Sequence, residues 1–170
     1  AVKTSLYGSA TRAWIATQDG TMHIYSLDGY ASGGAAPSPS PNAFTEVGTV
    51  TGLGRNPTSI ATSKAEPTNT SSSSIDPLSQ QVLVSSRGDR KITWVRFAAN
   101  GNSGSIVRTL QDTRMIDPIS IEDADNFANS NNIVSVADYA GKAIRNYRYG
   151  PVIFIDGKAC PAPNGCPVTS

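Results

Sequence analysis

QVLVSSRGDRKITWVRF, residues 81–97, is the stretch on which the fold turns. Two runs rich in β-branched and aromatic residues, Val82–Ser85 and Lys91–Phe97, flank the polar tetrapeptide Arg87-Gly88-Asp89-Arg90. Such side chains pack well on a pleated surface, so the pattern predicts two strands joined by a tight hairpin. Gly88 is the residue expected at the turn position with positive φ. The same design recurs at 13–27 (AWIATQDGTMHIYSL) and at 132–150 (NIVSVADYAGKAIRNYRYG).

Outward from this hairpin the strands come at regular intervals. Phe44–Val50, a turn over 52–56 and Pro57–Thr62 lead into it, and Ser105–Leu110 follows it. The unit then repeats. Asp117-Pro118-Ile119-Ser120-Ile121 matches Asn56-Pro57-Thr58-Ser59-Ile60, and Val84 and Ile92 recur 52 residues later as Val136 and Ile144. From Pro57 to Pro118 the offset is 61, because the first unit carries the longer insertion. Residues 1–10 and Val152–Ile155 read as strands at the two ends of the array. Residues 28–43 and 64–80 are rich in Ser, Thr, Pro and Gly and low in apolar content, so 31–42 and 64–78 are expected to be the most protease-sensitive segments. Nothing in the chain has a sustained helical period.

Short strands repeating at roughly 50 residues are the pattern of a β-propeller. The order resembles the repeats of the YVTN and lactonase-like propellers, in which a strand ends at Gly, Pro opens the next, and "V-x-N-x-G-D-N-x-I-x-V" forms a hairpin. Val84-Ser85-Ser86-Arg87-Gly88-Asp89-Arg90-Lys91-Ile92 fits best, Val136–Ile144 fits more loosely, and Trp14–Ile24 is the most divergent copy. The resemblance covers about residues 12–150. It implies an all-β fold, a partial propeller of about three blades in an open arc over 1–150, followed by an edge strand and a cysteine-containing tail over 151–170. A β-sandwich built from the same strands is the alternative.

At 170 residues the chain is long enough to bury a core as one domain. Its net charge of +1, from 14 basic and 13 acidic residues, gives no electrostatic reason to expect nucleic acid or an anionic membrane. No segment approaches the ~20 apolar residues of a membrane span. Charged residues make up only 16% of the chain, and hydroxyl and amide residues take their place, as on many secreted and cell-surface proteins. The start at Ala1 without an initiator Met fits a mature N-terminus left by signal cleavage. Cys160 and Cys166, separated by a turn-forming Pro163-Asn164-Gly165, are expected to form a local disulfide. Asn69-Thr70-Ser71 is an N-glycosylation sequon, and Asn69 is its acceptor.

Candidate site residues fall into three groups. Arg87-Gly88-Asp89 is the tripeptide that integrins bind, displayed on a hairpin tip, although the repeat pattern itself favours Gly-Asp there. Glu122, Asp123 and Asp125 with Asp138 are candidate oxygen ligands for Ca²⁺, against solvated loop carboxylates as the plainer reading. Tyr139 and Arg145, with Trp94, Tyr147 and Tyr149, are candidates for a sugar- or partner-binding surface or for packing between blades. His23, the lone histidine, reads as a structural strand residue, and no spacing suggests a Ser-His-Asp triad. The expectation is therefore a secreted or surface module for binding or assembly without catalysis of its own, its arc completed by a protein partner or by self-association. The alternative is part of a lactonase-like or redox propeller enzyme completed by another chain.

Overall fold

The computed structural model describes residues 1–7, 10–27, 44–63, 81–98, 100–123, 133–148, 152–155, 158–161 and 167–168. Among these residues the chain is all β, without a helix. In order, the strands are β1 (Val2–Tyr7), β2 (Ala10–Ala16), β3 (Met22–Ser26), β4 (Glu46–Val50), β5 (Pro57–Ser63), β6 (Gln81–Ser86) and β7 (Lys91–Phe97). They continue as β8 (Gly104–Gln111), β9 (Pro118–Asp123), β10 (Ile133–Asp138), β11 (Ala143–Arg148), β12 (Val152–Ile155), β13 (Lys158–Pro161) and β14 (Pro167–Val168). The first sheet is the meander β1-β2-β3-β4, the middle sheet is β5-β6-β7-β8, and the third is β9-β10-β11 with β14 in fourth place. Every pairing is antiparallel. Val152–Ile155 pairs with β13 in a separate ribbon, so the fourth place in the third sheet goes to Pro167–Val168 and not to the strand next in sequence.

The middle sheet is buried on both faces, which is why β6 and β7 carry continuous apolar runs instead of an alternating pattern. One face sends Ile60, Val82, Val84, Val95 and Phe97 against Trp14, Met22 and Ile24 of the first sheet, with Val50 and Leu53 beside them. Trp14 stacks on Phe97 with ring centroids 5.0 Å apart. The other face sends Ala61, Leu83, Ile92, Trp94 and Leu110 against Ile121, Val134, Val136 and Tyr147 of the third sheet, closed off by Met115. By contrast β3, covered on one side, alternates buried and half-buried residues. The sheets also meet strand to strand: β1 touches β5, β5 touches β9, and β4 touches β8.

The repeat read from the sequence has a structural counterpart. Ile60↔Val84, Ser59↔Ser85 and Pro57↔Ser86 in the middle sheet correspond to Ile121↔Val136, Ser120↔Ala137 and Pro118↔Asp138 in the third, and both ladders shift register just after the proline. The Arg87 N–H donates to the Asn56 carbonyl at 3.0 Å, as the Tyr139 N–H does to that of Asp117 at 2.9 Å. The hairpin turns behave alike, but not through Gly88. Positive φ falls on Gly20 (87°), Arg90 (51°) and Lys142 (49°), each donating its N–H to the carbonyl three residues earlier. Gly88 is required for another reason: a Cβ there would lie 2.9 Å from the Arg55 carbonyl oxygen.

Polar ties hold the ends of the stack. Leu53, in the loop after β4, accepts hydrogen bonds from Ser86 Oγ (3.0 Å) and Thr93 Oγ1 (2.9 Å), and Lys91 Nζ donates to the Gly52 carbonyl at 2.8 Å. At the opposite end Arg12 reaches from the first sheet to Asn102 Oδ1, with 2.7 Å the shorter of two bonds, and to the Asn100 carbonyl at 3.0 Å. The segments 31–42 and 64–78 and the Cys160–Cys166 pairing lie outside what the structure describes.

Truncating the face between the middle and third sheets should unfold the stack more easily than truncating the far side of the third. Leu83→Ala is expected to cost about 2–5 kcal/mol and Trp94→Ala about 3–5 kcal/mol in denaturant unfolding. Ile144→Ala, at a side chain 63% exposed, should stay within about 0.5 kcal/mol of the parent. Comparable losses at all three positions would contradict the stacking order.

Candidate functional site

The turn 87–90, the turn 139–142 and the connection 112–117 share one rim of the stack, and four Asp–Arg pairs occupy it. Asp89 accepts the Arg55 N–H at 2.8 Å and its Nε at 3.0 Å, fastening the middle-sheet hairpin to the loop before β5. Arg87 pairs with Asp117, which links that hairpin to the start of the third sheet. Asp112 forms its own tight turn, accepting the Arg114 N–H at 2.9 Å and the guanidinium through Nε (3.1 Å) and Nη2 (2.9 Å). Its second oxygen also takes the phenol of the buried Tyr147 at 3.1 Å. Asp138, 1% exposed, accepts N–H groups of Ile116 (3.1 Å), Asp117 (2.7 Å) and Gly141 (3.2 Å) and Nε of Arg145 (2.7 Å).

These environments set the charges. Burial by itself would raise the pKa of Asp138, but hydrogen bonds from Asp117, Arg145, Ile116 and Gly141 outweigh it and hold the group below the usual carboxylate range. Asp112 follows the same logic: burial pushes it up, while Arg114 and Tyr147 pull it further down. Tyr147 is driven up, first by burial and then by the neighbouring Asp112 charge, so its phenol stays a neutral donor. Asp89 is lowered by the backbone and side-chain hydrogen bonds from Arg55.

The residues singled out from sequence are distributed as follows. Arg87 and Asp89 sit on one tip, but each is engaged by a different element, Asp117 and Arg55 respectively. Asp138 and Asp123 lie at opposite ends of the β9–β10 pair, Asp138 beside Pro118 and Asp123 beside Val134. Four residue steps of strand, roughly 13 Å at ~3.3 Å per residue, separate their backbone positions, and the side chain of Asp123 lies outside the described residues. The carboxylate of Asp138 is also already filled with donors. Among the described residues no group of three or more His, Cys, Asp or Glu side chains converges on a metal position. Asp125, Asn69, Cys166, Tyr149 and the side chain of Cys160 lie outside the described residues.

Arg145 is committed to Asp138 and to the Arg114 carbonyl (2.7 Å), and Trp94 and Tyr147 are packed between sheets. Among the described aromatics of that group, Tyr139, 74% exposed at its turn, is the one open to solvent. Ile116, Ile119 and Ile144 are also exposed. The far face of the third sheet also carries a polar pair, with Ser135 Oγ 2.8 Å from Asn146 Oδ1. Sequence reasoning missed Asp112, because its partner Tyr147 is 35 residues away; an Asp opening a turn before Arg114 was the available signal. On the outer face of the first sheet, His23 Nδ1 and the Tyr25 phenol both lie 3.3 Å from Glu46. No protein-family model, curated protein or solved structure matches the chain.

Because Asp112 and Asp138 are held below their unfolded values, their contribution is present above about pH 4 and is lost as pH falls through the folded values. Urea titrations from pH 6 down to pH 2 should show stability falling on the acid side. Asp138→Asn should cost about 3–5 kcal/mol at pH 7 and flatten that acid limb, since it leaves Arg145 and three backbone donors around a neutral amide. An acid limb unchanged by the substitution would contradict the role given to Asp138.

Proposed function

We propose that this chain is a secreted or cell-surface module of the β-propeller kind, an open arc of three blades that serves binding or assembly and does not catalyse by itself. The observation that carries the reading is the stacking order. Three antiparallel four-stranded sheets follow one another face to face, with the first strands β1, β5 and β9 in succession and the outer strands β4 and β8 together. A repeat architecture built this way buries each sheet against its neighbours and leaves function to its rims and end faces.

The rim suits a rigid scaffold. Its carboxylates and guanidiniums pair with one another, Asp89 with Arg55, Asp117 with Arg87, Asp112 with Arg114 and Asp138 with Arg145. Surface for a partner comes instead from Tyr139, Ile119 and Ile144 on the third sheet. Among the described residues no helix is long and apolar enough to cross a membrane. The partner expected is a protein, in keeping with the near-zero net charge.

A panel of lactone-hydrolysis and redox assays on the purified chain, with and without Ca²⁺, tests the reading. No turnover is expected above the uncatalysed rate. Turnover that co-purifies with the chain and is lost on unfolding would overturn the non-catalytic assignment.

A further inference from the structure

We propose that the outer face of the first sheet docks, head to tail, on the far face of the third sheet of a second copy of this chain. The inference rests on the arc reading and names the partner that completes it. Its basis is position-by-position correspondence between sheets, anchored by the turn residues of positive φ, Gly20 and Lys142.

The third sheet seats on the middle one through Ile121, Val134, Val136 and Tyr147, with Arg145 beside them. Its ladder pairs Ile121↔Val136, Val136↔Arg145 and Val134↔Tyr147. The first sheet pairs Val2↔Ile15, Ile15↔His23 and Ala13↔Tyr25 at the matching places. An apolar trio, a tyrosine and a basic ring or guanidinium therefore recur in the same pattern, but on a face that points away from the middle sheet. Val2 is 65% exposed where its counterpart Ile121 is 3% exposed. The first sheet thus carries the set that the third sheet uses for docking, without a described sheet to receive it.

The receiving face repeats as well. The middle sheet offers Ala61, Leu83, Ile92 and Trp94 to the third. At the same positions the far face of the third sheet has Glu122, Ser135, Ile144 and Asn146. Ile144 keeps the apolar row, and the larger apolar residues give way to a hydroxyl–amide pair. Carried over in register, Ala137 and Ile144 lie over Ile15, and Ser135 and Asn146 lie over Tyr25, whose phenol finds acceptors there. The contact is a wetter version of the two already present in the chain, weak enough to be reversible. A head-to-tail contact of this kind either closes or polymerises. Two copies together supply six of the described four-stranded sheets, within the roughly 4–8 blades of closed propellers, so the expected product is a closed dimer.

Sedimentation velocity from about 1 to 100 μM, with mixing of two variants, tests the proposal. Val2→Glu and Ile144→Glu both change exposed side chains, so the fold should survive them. The parent should form a reversible dimer, and each variant alone should dissociate at least about tenfold more readily, roughly 1.4 kcal/mol. Mixed in equal amounts, the two variants should recover dimer in part, more than either alone and less than the parent, because a mixed pair keeps one intact contact of the two in the closed ring. Failure of the mixture to recover dimer, or dissociation by only one of the variants, overturns the head-to-tail contact. Trp14 and Trp94 lie in the two inter-sheet cores and separate the remaining cases. A monomeric parent with blue-shifted, buried tryptophan emission overturns the docking and leaves the arc standing. A monomeric parent with solvent-exposed emission overturns both.

Discussion

Burial of the middle sheet on both faces is the constraint from which the rest of the structure follows. Val82, Val84, Val95 and Phe97 face one way and Leu83, Ile92 and Trp94 the other, so β6 and β7 have no solvent side to alternate toward. Each flanking sheet then needs only one apolar face. The first supplies Trp14, Met22 and Ile24, and the third supplies Val134, Val136 and Tyr147. A full apolar side chain moved from water into such a core contributes on the order of 1.5–3 kcal/mol, so two cores sharing one sheet make that sheet the centre of stability.

The rim converts stacking into register. Nonpolar faces alone would tolerate sliding between sheets. Asp138 fixes the entry into the third sheet, because its oxygens take N–H groups from the loop before β9, another from its own turn and the Arg145 guanidinium together. Removing any one leaves a buried charge less well paired, at a larger cost than the net worth of the whole arrangement. Arg87–Asp117 and Tyr147–Asp112 extend the same principle across the boundary between the middle and third sheets. Polar side chains at this end therefore specify geometry more than they supply chemistry.

Local information in the sequence was enough for the repeat. Pro57 and Pro118 open equivalent strands because proline lacks the donor that an interior position needs, and the Ser-Ile that follows each keeps its register. Hairpin positions were equally plain from turn residues between β-rich runs. What escaped was set by distant contacts. Gly88 is fixed by the approach of Arg55, 33 positions earlier, and not by its own φ. Positive φ falls on Arg90 and Lys142, where no glycine marks it. Placement of β14 beside β11 skips an intervening ribbon, and short-range pattern carries no record of that. Similarly, nothing local shows that Asp123 and Asp138 fall at opposite ends of one strand pair.

Hydrogen–deuterium exchange, read strand by strand, tests the two-sided burial most directly. If the middle sheet is the shared core, amides of β6 and β7 should be the slowest in the chain, exchanging only through global unfolding, while β1 and β12 exchange by local opening. Protection of β6 and β7 no greater than that of β1 would contradict the account, because a strand pair with a solvent face cannot be the centre around which the other sheets are ordered.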